Sequence, residues 1–281
     1  MKSQELRFEN PPLLVLSPYS APSRRAFWQG VAVGLALLGS SALQATAQAV
    51  PPAKPGPASG ELPSVQQILE MYVSALGGRP AIEKLNSRVL KGWVEYPGQG
   101  VSGEIEIAAK APDKLRATFR LPGDVVEEGY DGTVAWEANS REGVFAVRRE
   151  RGANIRIEAQ FYSDLRLAEL FPQLKLTGTE VVEGQPAYVL EGVPLEGSRR
   201  WFYFSVKTGL LVRQDSEQVE PPRAGRYSTH LKNYQEFDGV KIPMAWDQEG
   251  AGVKWTIRFA EVRHNVPLDD ARFKKPKPES H

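Results

Sequence analysis

Cysteine is absent from this 281-residue sequence, and the absence removes several functions at once. Without a thiol, the chain builds no disulfide, thiolate metal site, cysteine nucleophile or covalently attached c-type haem. It also offers no cysteine for an N-terminal lipid anchor. Histidine is nearly as scarce, with only His230, His264 and the terminal His281. Neither His230 nor His264 has a second His or a carboxylate at a metal-ligand spacing. Both read as surface or satisfied strand residues, and no metal is expected. An excess of charge is missing too: the net charge is +1. Residues 1–49 hold four basic and two acidic side chains, so the remainder is close to neutral. Such a balance gives no global field for nucleic acid, which is not expected as a partner.

Catalytic signatures are also lacking. There is no G-x-S-x-G elbow, H-E-x-x-H, G-x-x-x-x-G-K-[ST], or G-x-G-x-x-G between a strand and a helix. The carboxylates Glu127, Glu128, Asp131, Asp269 and Asp270 fall at turns or on polar strand faces, where solvation is the expected fate. The arginine run over 148–156, interrupted by Glu150, reads as a solvated turn leading into a helix. The chain is therefore not expected to be an enzyme, and no cofactor is expected.

What is present begins with a targeting segment over 23–49. Arg24 and Arg25 precede an uncharged apolar stretch over 31–43, followed by small-x-small sites ending at Ala47 and Ala49. A basic region, a short apolar region and an A-x-A end are the parts of a cleaved secretory signal. The stretch falls short of the ~20 apolar residues that span a bilayer. The Arg pair resembles the twin-arginine consensus. Residues 1–49 are thus expected to be a signal peptide and 50–63 a Pro/Gly-rich linker. A β-rich domain is expected over 64–276, followed by a short tail over 277–281.

Ser64 and Gln67 form a candidate capping box. Val65, Ile68, Leu69, Tyr72, Val73 and Leu76 then recur at helical spacing until Gly77-Gly78. From Arg88 the period becomes two. Ile105 and Ile107 alternate with Glu104 and Glu106, and Leu115, Ala117, Phe119 and Leu121 alternate with Lys114, Arg116, Thr118 and Arg120. Some ten strands follow one another across Gly-rich turns, interrupted by a helical stretch over 155–170. The expected fold is α+β, mainly β: a curved antiparallel sheet, an incomplete β-barrel, packed with an N-terminal helix and a mid-chain helix. A sheet of this many strands curls, and its concave face must be filled by side chains, a helix or a ligand. The candidates for a lined cavity are Trp93, Ile105, Phe119, Trp136, Phe202, Phe204, Ile242, Met244, Trp246, Trp255, Ile257 and Phe259. A sealed core and a lipid-sized pocket both fit this pattern.

Four segments carry a family resemblance. They are Tyr130 to Asn139 (YDGTVAWEAN), Phe204 to Asp215 (FSVKTGLLVRQD), Tyr234 to Trp246 (YQEFDGVKIPMAW) and Asn265 to Pro276 (NVPLDDARFKKP). Together they resemble the LolA/LolB-like superfamily of exported lipoprotein- and lipid-binding domains, and are similar to domains found beside multihaem cytochromes. The resemblance implies an incomplete barrel wrapped on helices around an apolar cavity for acyl chains. The function expected is that of a periplasmic carrier of a lipid or lipoprotein acyl chain, with the segment over 155–170 as a lid. Its partners would be the lipid, a membrane surface touched transiently, and an envelope protein. The alternative is an interaction module with a closed core, associated with an envelope or electron-transfer complex.

Overall fold

A computed structural model describes residues 62–277. The expectations on 1–49, including Arg24, Arg25, Ala47 and Ala49, lie outside the described residues, as do 50–61 of the linker and 278–281 of the tail. The capping box forms: Ser64 Oγ accepts the Gln67 N–H at 3.2 Å and Gln67 Oε1 accepts the Ser64 N–H at 2.8 Å. It starts α1, Val65–Leu76, whose Ile68, Tyr72 and Leu76 are buried. A short α2, Arg79–Glu83, follows. Gly77 ends α1 at φ 125°, and a Cβ there would stand 1.9 Å from the Gly239 carbonyl oxygen. The helix end is thus docked directly on a strand turn.

The period-two segments form β1 Ser87–Tyr96, β2 Val101–Lys110, β3 Lys114–Leu121, β4 Asp124–Tyr130, β5 Ala135–Asn139 and β6 Gly143–Ala146. After a helical insert come β7 Lys175–Val182, β8 Gln185–Gly192, β9 Arg199–Ser205, β10 Leu211–Gln218, β11 Gly225–Phe237, β12 Val240–Gly250 and β13 Val253–His264. All thirteen belong to one antiparallel sheet in the order β6-β5-β4-β3-β2-β1-β13-β12-β11-β10-β9-β8-β7. The chain is two meanders joined side by side at β1 and β13. At that seam the register slips between Lys91 and Gly92, a bulge that bends the strand and sharpens the curl. Gly92 allows it, since a Cβ would lie 2.0 Å from the Arg258 carbonyl oxygen.

Sheet order makes β6 and β7 the two free edges, although they are consecutive in the chain. The link between them crosses the mouth of the curl. The single helix expected over 155–170 is instead three pieces: α3 Arg149–Glu158, a 3₁₀ turn Ser163–Leu165, and α4 Leu167–Leu170. The first begins six residues early because the arginine run is its opening turn. Together with α1, this insert covers the concave face.

The convex face is not wholly wet. Residues 265–273 fold back across the outside of β1 to β5. Phe273 is fully buried there with Val89 and Ala108, and its carbonyl accepts Trp136 Nε1–H at 2.8 Å. Arg116 Nη1 donates to the Arg272 carbonyl at 2.9 Å and Lys110 Nζ to the Leu268 carbonyl at 2.8 Å. Truncating Phe273 to Ala should therefore cost about 3–5 kcal/mol, the range for a buried ring. Urea unfolding measures it, and a loss below about 1 kcal/mol would show that the strap adds little to the fold.

Candidate functional site

Inside the curl lies a cavity of about 360 Å³, near the lower end of the ~300–1,000 Å³ typical of ligand pockets. Its wall is apolar where the alternating strands face inward: Ile105 and Ile107 on β2, Ala117 and Phe119 on β3, Phe202 and Phe204 on β9. The insert closes it with Phe161, Leu167, Leu170 and Phe171, and α1 contributes Tyr72 and Leu76.

Of the twelve candidate residues, Ile105, Phe119, Phe202, Phe204, Ile242, Trp246 and Ile257 stand on this wall. Met244, Trp255 and Phe259 are buried in the same core but do not reach the cavity. Trp255 lies over Tyr96 with ring centroids 6.3 Å apart, and Phe259 meets Trp246 edge-on at 4.9 Å. Two expectations are corrected. Trp93 is 54% exposed, because β1 turns Leu90, Val94 and Tyr96 inward and its odd-numbered neighbours out. Trp136 also points outward and is buried under the C-terminal strap, not in the cavity.

A second correction concerns charge. Glu128, expected to be solvated, is buried, and so is Glu137, its cross-strand partner on β5. Arg151 of α3, from the run read as a solvated turn, reaches between them. It donates to Glu137 Oε1 through Nε at 2.8 Å and pairs with Glu128 through Nη2. Arg223, on the link between β10 and β11, donates to both Glu137 oxygens at 2.9 Å. Glu150 of α3 accepts the backbone N–H groups of Val219 and Glu220 at 2.9 and 2.8 Å, and Ser198 Oγ–H at 2.8 Å. The insert is thus pinned to both meanders.

Three donors surround Glu137, and the two arginines hold its pKa below the ordinary carboxylate value in spite of burial. At Glu128 burial, aided by the charges of Glu158 and Glu137, outweighs Arg151 and the more weakly acting Arg223 and lifts the pKa to about 7. At the other end of the mouth Tyr72 Oη–H donates to Asp164 at 2.7 Å, tying α1 to the 3₁₀ turn. Arg88 lines the cavity beneath them, and burial lowers its pKa. His264 is not a surface residue. Its side chain is 1% exposed, with Nδ1 3.0 Å from Asp238 Oδ2. Burial, helped by the charge of Arg88, holds it below the ordinary imidazole value. His230 sits 3.6 Å from Glu183 on the outer surface. Among the described residues no group of three or more His, Asp or Glu is placed to hold a metal ion.

An open antiparallel sheet, curled over an apolar hollow and roofed by helices, defines the class: an incomplete β-barrel. Its particular fold is LolA-like. A DUF1329 family protein from Desulfovibrio piger superposes with a TM-score of 0.53 at 17% identity, over 75% of this chain and 97% of that one. A LolA superfamily protein from Nitrosomonas europaea gives 0.52 at 14% identity, over 76% and 99%. A domain from Vibrio parahaemolyticus, assigned to outer membrane lipoprotein sorting, gives 0.50 at 10% identity, over 74% and 96%. No protein-family model matches the sequence, and no curated protein does.

The raised Glu128 fixes a pH dependence. Between its unfolded pKa of about 4.5 and its folded value of about 7, the folded chain holds the proton more tightly, so stability falls as pH rises. Comparing the native chain with Glu128→Gln by urea unfolding should show their stability difference dropping by about 2–3 kcal/mol from pH 5 to pH 8. A difference constant with pH would contradict the assignment of the proton to Glu128.

Proposed function

We propose that the protein is an exported, periplasmic carrier or sensor that holds a lipid, or a molecule bearing an acyl chain, inside the curl. The observation that carries this reading is the largely apolar cavity between the concave face and the helical insert. Binding would come from burial alone. At roughly 25 cal/mol per Å², sheltering about 200 Å² of acyl surface contributes about 5 kcal/mol, enough for reversible loading. The insert over 149–170 forms the roof, and cargo would enter beside it. No helix among the described residues is long and apolar enough to cross a membrane, which suits a carrier that meets the bilayer only in passing. The signal-like segment over 23–49 supports export, and the lipoprotein-sorting assignment of the Vibrio domain supports lipoprotein acyl chains as one cargo class. Residues 64–276 would act as a single unit. The rival, a closed interaction module, leaves the cavity unexplained.

Native mass spectrometry of protein taken from the periplasm, followed by organic extraction, tests the carrier directly. A stoichiometric lipid is expected. Ala117→Phe, which places a ring in the hollow, should cut binding of a fluorescent fatty-acid probe at least 10-fold while leaving the melting temperature within a few degrees. A mass with no added ligand, and no response to lipid in either protein, would favour the closed module.

A further inference from the structure

The cavity is not apolar throughout, and the buried side-chain atoms on its wall that lack a partner are of one kind. Two buried side-chain atoms on its wall lack a hydrogen-bond partner in the protein, Arg200 Nε and Trp246 Nε1. Each is a donor and cannot accept. Among the described residues, no buried side-chain acceptor on the wall is in that state. A buried donor left bare costs about 1–3 kcal/mol, more when charged, so the wall is complementary to something that supplies acceptors.

Arg200 is the stronger of the two. It is 5% exposed and stands on β9 one inward step beyond Phe202 and Phe204, opposite Gly192 on β8 and Ser216 on β10. The ring of Phe171 lies beneath the guanidinium, 5.8 Å from centroid to Cζ. Its carboxylate partner is Glu158, reached through Nη2 at 3.3 Å. That bond is long for a charged pair, and the Glu158 side chain is 37% exposed. Glu158 can therefore turn to water without strain on the fold. Burial and the neighbouring charge of Arg151 both press against the cation. A planar fork with an open edge, at the end of an apolar wall, matches a carboxylate or phosphate bonded to two donors.

We propose that the cargo is an anionic amphiphile whose carboxylate or phosphate head seats on Arg200, while its chain lies along Phe202 and Phe204. This rests on the carrier reading and sharpens it from an acyl chain to an acyl chain with a charged head. Glu158 acts as the place-holder that the head displaces.

The test uses a polyunsaturated fluorescent fatty acid and its methyl ester, titrated at pH 8 into the whole domain. The chains are identical, so the ratio of affinities reads the head alone. The acid should bind at least 10-fold tighter than the ester. Arg200→Met should remove that preference and leave the ester unchanged, Arg200→Lys should restore part of it, and Glu158→Gln should raise affinity for the acid several-fold. Competition by palmitate against lysophosphatidic acid then tells a free carboxylate from a phosphate headgroup. Equal binding of acid and ester by the native protein overturns the head site while the carrier stands, and needs no variant to fold. Binding of neither overturns both.

Discussion

Two carboxylates stand side by side on the inner face of β4 and β5, Glu128 opposite Glu137, and nothing on those strands neutralises them. Like charges directly opposed in a sheet repel, and burial raises the cost of each. The pair becomes tolerable only when Arg151 and Arg223 come in from elsewhere. Arg151 brings α3 with it, so the roof is drawn over the curl. Arg223 brings the link between β10 and β11, so the second meander is drawn toward the first. Neither meander alone can satisfy the pair. The closure of an otherwise open sheet follows from that shared requirement, and the cavity is the space left beneath it. Leaving out one arginine would strand a buried charge, which is far more costly than the net gain from an intact pair.

Much of the architecture is legible as alternation. Leu115, Ala117, Phe119 and Leu121 announce the inner face of β3, and each is buried. The capping box, the stripe on α1 and the glycine stop are equally local, and they form as their spacing predicts. What alternation cannot convey is whether the other face is covered. On β1 the inward set includes Arg88 and Gly92, so the outward Trp93 looks like the more hydrophobic choice. On β5 a single tryptophan looks like cavity lining, yet Trp136 is buried from outside by residues 265–273. That strap comes from the far end of the chain, and no feature near Trp136 signals it.

The charged residues escaped for the same physical reason. Glu128 looks solvated because its neutralising partner lies 23 positions away in the chain, and those of its neighbour Glu137 lie 14 and 86 away. The arginine run looked like a turn because its composition is that of a wet surface. A signal did exist: a carboxylate at an inward position of a strand, as Glu128 is two residues from Val126 and Tyr130, demands a distant cation. Inward parity, applied to polar residues as strictly as to apolar ones, would have marked Glu128, Glu137 and Arg200 together.

Protein interiors are otherwise close-packed, so the hollow itself needs a cause. The small side chains of Ala109 and Ala117 face it where Leu or Ile would fill it. Leaving apolar wall of this kind without packing partners is costly, by roughly 24 cal/mol per Å³ where a hollow is sealed. Water relieves such a cost only where polar partners await it, and Ile105, Phe119, Phe202 and Leu231 on this wall offer none. An occupant with apolar surface would remove the penalty, and one with an acceptor at its end would also answer the bare edge of Arg200. The roof is held both by polar bonds, from Arg151 to Glu128 and Glu137, from Tyr72 to Asp164 and from Val219 and Glu220 to Glu150, and by Ile155, Phe161, Leu167 and Phe171, which are buried in the core.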